Sequence, residues 1–246
     1  EKASKVNIAI PEGQQKLVSE LAKTGKPVIA LVMCGRPVIF NEIREHADAV
    51  LCTWWLGSEA GNAICNVLWG EYNPSAKLPM TFPAHVGQIP IYYQNKSTGR
   101  PTALKQTYKA SYIDASTEPA YPFGYGLSYT DFGYSDLKLL PGKAAGVHTE
   151  VSVKVTNTGK CAGEEVVQLY VQDKVASVTR PIKELKGFRK IHLNAGESKT
   201  VVFQITDDAL GFYDNEMNHT VEPGDFVFMV GGSSDDVQQI TYNLKE

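Results

Sequence analysis

No apolar run in this sequence reaches the roughly 20 residues that a membrane-spanning helix needs. The longest, Pro27 to Cys34, suits a buried strand. Cysteine is scarce: Cys34, Cys52, Cys65 and Cys161 are the whole supply. Neither a Cys-x-x-Cys pair nor a His/Cys grouping at metal-ligand spacing occurs. The first three lie in apolar runs and are expected as buried free thiols. A disulfide is the alternative in an oxidising compartment, and spacing alone does not pair them. A dominant charge is missing too. A net charge of −3 leaves no electrostatic footprint for nucleic acid or an anionic membrane. The phosphate loop of the Gly-rich Lys-Ser/Thr type is absent, and Ser58 does not sit in a Gly-x-Ser-x-Gly elbow. Histidines 46, 85, 148, 192 and 219 are scattered. No motif asks for a metal or another cofactor.

What is present is ordinary for a globular protein: 43% hydrophobic and 21% charged residues. A chain of 246 residues can hold one large core or two of common size. It opens at Glu1 with no initiator Met and no signal-peptide pattern, which reads as a fragment or processed product.

The first half alternates helix and strand signals. Pro11 can open a helix, Leu17, Val18, Leu21 and Ala22 form an apolar stripe, and Gly25 suits the end. Val28 to Val32 is a continuous apolar run, as in a strand covered on both faces. Ala47 to Trp54 repeats it. Ser58 can cap a second helix bearing Ala60, Ala63, Ile64, Val67 and Leu68, with Gly70 as the stop. This rhythm predicts an α/β sandwich domain whose mostly parallel sheet, flanked by helices, is only partly contained in the chain.

From Asn73 to Tyr129 prolines recur at 74, 79, 83, 90, 101, 119 and 122, so long helices are excluded. The tyrosines there argue for an ordered irregular segment that wraps the first domain, rather than a disordered linker. From about Phe132 alternation takes over. Val151, Val153 and Val155 form one inward set, and Val167, Leu169 and Val171 another. Val201 to Ile205 and Phe226 to Val230 add strands. Turn signals fall at Asn157-Thr158-Gly159, Asn194-Ala195-Gly196 and Pro223-Gly224. The expectation is an all-β sandwich of immunoglobulin or fibronectin type III character.

Residues that could carry chemistry are few. Gly57 to Gly61 at a strand-to-helix turn fits tight packing, with anion binding as the alternative. Trp54 and Trp55 could stack on a sugar ring. Adjacent strand residues face opposite ways, so at least one is expected in the core. Glu59 opens a helix, where its charge favours the dipole.

Longer strings are more specific. Thr24-Gly25-Lys26-Pro27-Val28 through Gly35-Arg36-Pro37 resembles a segment of family 3 glycoside hydrolases. So do Gly57-Ser58-Glu59-Ala60-Gly61-Asn62-Ala63, Asn73-Pro74-Ser75-Ala76-Lys77-Leu78-Pro79, Asn95 to Pro101, and Tyr121-Pro122-Phe123-Gly124-Tyr125-Gly126-Leu127-Ser128-Tyr129. Arg180-Pro181 and Glu184-Leu185-Lys186-Gly187-Phe188 are similar to the signature of that family's fibronectin type III-like domain. The resemblance covers essentially the whole chain and is nearest to bacterial periplasmic β-glucosidases.

The resemblance implies residues 1–131 as the C-terminal part of the α/β sandwich domain with its Pro-rich wrapping segment, and 132–246 as the fibronectin-like domain. It implies an N-terminal barrel on absent polypeptide that supplies the Asp nucleophile. Glu1-Lys2-Ala3-Ser4-Lys5-Val6-Asn7-Ile8 aligns with the acid/base string of such enzymes and places Glu1 on the general acid/base. The sequence departs from the family at Lys5 for Arg, Asn7 for Asp and Ala76 for Gly. Lys lacks the planar donor set of Arg. The implied activity is retaining hydrolysis of terminal β-D-glucosyl residues, which needs two carboxyl groups roughly 5–5.5 Å apart. The implied partners are a carbohydrate substrate and the barrel, with no nucleic acid. The implied location is periplasmic or secreted. The isolated chain is expected to be inactive. A non-catalytic carbohydrate-binding or structural module is the alternative, and the sandwich can also serve stability alone.

Overall fold

The computed structural model describes residues 5–99 and 111–245. It divides into two compact units. One holds residues up to Tyr72 with Met80–Ile91 and Ser111–Tyr121. The other holds Asn73–Pro79, residues 92–99 and the chain from Pro122.

In the first unit, helix α1 (Glu12–Ala22) starts directly after Pro11. Gly25, at φ +70°, turns the chain beyond its end. Strand β1 (Ile29–Val32), helix α2 (Asn41–His46), strand β2 (Ala49–Cys52) and helix α3 (Ala60–Leu68) follow. Strands β1 and β2 pair in parallel, Ile29 opposite Ala49 and Val32 opposite Cys52. A parallel pair needs a crossover, and α2 lies within it. Among the described residues the parallel sheet amounts to this pair, with one further parallel bridge between Ala9 and Ile39. Among the described residues antiparallel strands far outweigh the parallel pair, and helices are few.

Three local expectations change. Strand β1 is covered on one face only: Ala30 and Val32 are buried, whereas Ile29 and Leu31 are 52% and 41% exposed. Likewise α1 buries no residue, and Leu17 and Leu21 of its apolar stripe are exposed. The apolar pattern is there, but among the described residues no layer covers it. Ser58 does not cap α3. It lies in a 3-10 turn, Gly57–Glu59, and no side chain caps the helix.

An aromatic cluster forms the tight part of this unit. Phe82 is 1% exposed, with the rings of Phe40, Trp54 and Tyr121 at 6.1, 5.8 and 6.5 Å. Backbone bonds hold Phe82 against the chain at Tyr121: Phe82 N–H donates to Tyr121 O at 2.9 Å, and Ala120 N–H donates to Phe82 O at 2.8 Å. Buried Gln88 orders the neighbouring Pro-rich turns. Its Nε2 donates to the carbonyls of Ser116 and Glu118, each at 3.0 Å, while Oε1 accepts from Ala84 and His85 N–H. The amide thereby uses both donors and its acceptor.

The second unit is the β-sandwich. Strands β3 (Phe132–Pro141), β4 (Val147–Asn157), β5 (Gly163–Asp173), β6 (Glu184–Leu193) and β7 (Ser198–Thr206) are followed by a single helical turn α4 (Asp207–Leu210). The short hairpin β8 (Phe212–Tyr213) and β9 (His219–Thr220) precedes β10 (Gly224–Gly231) and β11 (Val237–Leu244). One sheet runs β11-β10-β5-β6 and the other β3-β4-β7, with all ladders antiparallel. Val151, Val153 and Val155 of β4, with Phe203 of the adjacent β7, pack with Val167 and Leu169 of β5 and Phe228 of β10 in one core. The turn at Asn157 closes by side-chain bonds. Asn157 Nδ2 donates to Cys161 O at 2.8 Å and Leu193 O at 3.1 Å, and Oδ1 accepts from Thr130 Oγ1 at 2.6 Å.

Alternation places Gln168 and Tyr170 on the outer face of β5, yet both are buried. The Pro-rich segment covers them. Tyr93 and Phe123 stack at 4.4 Å and meet the Tyr170 ring edge-on. Gln168 Nε2 donates to Gly124 O at 3.2 Å and to Gly232 O at 2.6 Å. Gly124 adopts φ +78°, and a Cβ there would collide with the Gln168 amide. This is a position only glycine fills without strain. Residues 92–99 and 122–131 therefore serve the sandwich rather than the first unit, because β5 needs a cover on its second face.

The same segment brings charge inside. Lys77 Nζ lies 3.1 Å from Glu165 Oε2, with the two side chains 14% and 5% exposed. Lys77 also donates to Gly126 O at 3.0 Å, and Tyr134 O–H donates to Glu165 Oε1 at 2.8 Å. Burial, then the Glu165 charge, pushes the Tyr134 phenol well above its usual range. Lys77→Met strands the Glu165 carboxylate and is expected to cost about 3–5 kcal/mol in urea unfolding. Replacing Lys77 and Glu165 by Met, with Tyr134→Phe, is expected to recover most of that loss. Gly124→Ala is expected to cost roughly 1–3 kcal/mol in the same measurement.

Candidate functional site

In open α/β sheets, ligands bind beyond the carboxyl ends of parallel strands. In the first unit that end is built by the exits of β1 and β2. Gly35, Arg36 and Pro37 follow β1, and Thr53 to Glu59 follow β2. The exits are pinned together, since Thr53 N–H donates to Val32 O at 3.0 Å. Beyond Thr53 the chain turns sharply. Trp54 sits at φ +50° and Gly57 at φ +73°. A non-glycine residue in this region carries strain, and the ring contact with Phe82 at 5.8 Å holds Trp54 in place.

The two tryptophans part at this turn. Trp54 turns into the aromatic cluster and is half-buried. Trp55 is 81% exposed, and a Cβ on Gly35 would lie 3.8 Å from its ring. Trp55 thus bridges the exits of both strands and offers an open indole. Glu59, at the start of α3, accepts from Asn62 Nδ2 at 2.7 Å. That bond braces the first turn of the helix.

Glu1 lies outside the described residues. Lys5, the first described residue, is exposed. The chain then runs beside Ile39: Ile39 N–H donates to Ile8 O at 3.1 Å and Ile10 N–H to Ile39 O at 2.9 Å. Asn7 Oδ1 accepts from Ala9 N–H at 2.9 Å, a local turn just before that pairing. Among the described residues no three His, Cys, Asp or Glu side chains group as metal ligands.

The cysteines depart from expectation, since none is buried. Cys34 and Cys52 are half-buried, and Cys65 and Cys161 are exposed. Their apolar runs lie on faces that this unit leaves partly uncovered. Burial, then the adjacent Cys34, pushes the Cys52 thiol up to about 12. The sequence alone left the cysteines unpaired and did not reveal the Phe40, Phe82 and Tyr121 brace under Trp54. The aromatics lie far apart in the chain, so periodicity gives no signal for them.

The family-like strings turn out to be largely structural ties. Asn73 Nδ2 donates to Ala162 O at 2.9 Å, and its Oδ1 accepts from Ser128 Oγ and Tyr129 N–H, each at 2.8 Å. Arg180 pairs with Glu184 and lies 4.7 Å over the Phe212 ring. Burial raises the neighbouring Asp173 carboxyl while Arg180 acts the other way.

Residues 1–129 match the glycosyl hydrolase family 3 C-terminal domain. The chain belongs to glycosyl hydrolase family 3. Residues 165–234 match a fibronectin type III-like domain. The chain is 47% identical over 247 residues to a periplasmic β-glucosidase of Salmonella typhimurium, covering 99% of this chain and 32% of the relative. It is 45% identical to a β-xylosidase of Formosa agariphila, over 94% of this chain and 32% of the relative. Among solved structures, a β-glucosidase from Listeria innocua in complex with glucose superposes with a TM-score of 0.91 at 41% identity, over 97% of this chain and 34% of that one. The chain therefore spans about a third of the length of these relatives. In this family setting the structural division of labour between the two tryptophans is testable. Phe82→Ala is expected to destabilise the first unit by roughly 3–5 kcal/mol. Trp55→Ala is expected to change stability by no more than about 0.5 kcal/mol, both read by chemical denaturation.

Proposed function

We propose that this chain is the C-terminal portion of a retaining β-glucosidase that removes terminal non-reducing β-D-glucosyl residues from oligosaccharides. The observation that carries the reading is likeness along nearly the whole chain, at 41% identity and a TM-score of 0.91, to a β-glucosidase solved with glucose. Residues 1–131 form the C-terminal part of the α/β sandwich domain, and residues 132–246 form the fibronectin-like domain. The β1/β2 pair belongs to a larger, mostly parallel sheet, which accounts for the uncovered face of Ile29 and Leu31. The preceding barrel carries the Asp nucleophile, and the substrate lies between that barrel and the exits of β1 and β2. The enzyme works in the periplasm or as a secreted protein, in keeping with the relative from Salmonella typhimurium named as periplasmic.

In this reading Glu1 is the general acid/base. It protonates the leaving glycosidic oxygen and then takes the proton from the attacking water. To hold that proton near neutrality its pKa must rise, which burial and the nearby nucleophile carboxylate can bring about. Both conditions depend on the barrel that carries the nucleophile, so residues 1–246 alone are inactive. Trp55 contributes an apolar face to a sugar ring near the same strand ends.

In the full-length enzyme, Glu1→Gln is expected to lower turnover of cellobiose, a poor-leaving-group substrate, by about 10²–10⁴-fold. An activated aryl glucoside, which needs little protonation, loses less in the glycosylation step. Unchanged turnover on cellobiose removes Glu1 from the mechanism. Trp55→Ala is expected to raise KM by about 2- to 10-fold with little change in kcat. Calorimetric titration of the isolated chain with cellobiose is expected to give no binding heat; tight binding favours a self-contained carbohydrate-binding module instead.

A further inference from the structure

Cys34 and Cys52 bring their Sγ atoms to 4.0 Å. The contact is set by backbone. Cys52 ends β2 opposite Val32 of β1, and Cys34 follows Val32 by two residues on the exit of β1. The hydrogen bond from Thr53 N–H to Val32 O fixes the two exits side by side. A thiol is a weak hydrogen-bond donor, so this contact adds little to stability as it stands. The chain's other thiols have no such neighbour among the described residues. Cys65 is exposed on α3, and Cys161 Sγ donates to Tyr129 O at 3.3 Å in the second unit.

We propose that Cys34 and Cys52 are a resolving thiol pair that closes to an intramolecular disulfide by exchange with a small-molecule disulfide, joining the exits of β1 and β2. Cys34, as thiolate, attacks one sulfur of the small disulfide. The S–S bond of that molecule breaks, one small thiolate leaves, and Cys34 carries a mixed disulfide. Cys52 then gives up its proton to the solvent and attacks the Cys34 sulfur, which expels the second small thiolate. Two protein thiols are oxidised by two electrons, and one small disulfide is reduced to two thiols. The order follows from the site. Burial and the neighbouring Cys34 hold Cys52 protonated, which makes it a poor first nucleophile and leaves Cys34 to start. Once Cys34 carries the mixed disulfide, its sulfur lies beside Cys52, and proximity favours the second step.

The bond would join residues 18 apart and enclose α2. It would also tie the loop of Gly35 to the loop of Trp55, whose ring lies against Gly35. Closing a loop of this length limits the unfolded ensemble. The redox state of the pair thus sets the rigidity of the strand exits. The proposal does not depend on the glycosidase reading, because it uses only the two thiols and the named co-reactant.

The experiment treats the native chain with oxidised glutathione, blocks remaining thiols with iodoacetamide and maps the peptides by mass. The expected result is a Cys34–Cys52 cross-linked peptide, loss of the free thiol at both of these positions, and reversal by dithiothreitol. Cys52→Ser is expected to trap a stable glutathione adduct on Cys34. Cys34→Ser is expected to leave Cys52 largely unreacted over the same time. The map of the unsubstituted chain is decisive by itself if a variant fails to fold. A lasting glutathione adduct on Cys34 or Cys52 in that chain overturns the proposal. So does a bond from either to Cys65 or Cys161, or no reaction at the pair.

Discussion

A glutamate on the central strand of a sandwich can be buried only if a cation reaches it, and here Lys77 does so from a segment of no regular structure. The pair at 3.1 Å is completed by Tyr134 and the Gly126 carbonyl. Such a pair adds little net stability over apolar packing, but breaking one half is costly. Its consequence is positional. Once Lys77 is committed to Glu165, residues 73–79 are fixed along β5. The chain on either side is then committed to the bonds of Asn73 with Ala162, Ser128 and Tyr129.

That commitment explains why β5 is buried on both faces. One face packs into the core with Val167, Leu169 and Val171. The other takes Tyr93 and Phe123 across Tyr170, with Gln168 meeting the carbonyls of Gly124 and Gly232. The Pro-rich segment can lie flat there because proline and a left-handed Gly124 suit extended and sharply turned backbone. The strings that mark the family are thus, in large part, the fittings by which this segment is attached. The exits of β1 and β2 are not among these fittings.

In the first unit the balance is different. A two-strand parallel ladder and three helices leave Ile29, Leu31, Leu17 and Leu21 in the open. Order at the strand exits rests on the Phe82 cluster and on backbone pairing rather than on a closed core. The same sparse packing leaves Cys34 and Cys52 half-buried, near enough to react and accessible to a small co-reactant.

By itself the sequence determined the periodic elements. The runs at Val28–Val32 and Ala47–Trp54 mark β1 and β2, and the stripe from Ala60 to Leu68 marks α3. Alternation in Val151–Val155, Val167–Val171, Val201–Ile205 and Phe226–Val230 marks four sandwich strands. The ordered strings also carried the family. These features are legible because burial on one face repeats at fixed intervals along the chain. Only the tertiary structure decided what joins residues distant in sequence: that Gln168 and Tyr170 are covered, that Lys77 meets Glu165, that Trp54 turns inward while Trp55 stays open, and that two cysteines touch. No local period encodes such meetings, because each depends on how separate segments come to lie against one another.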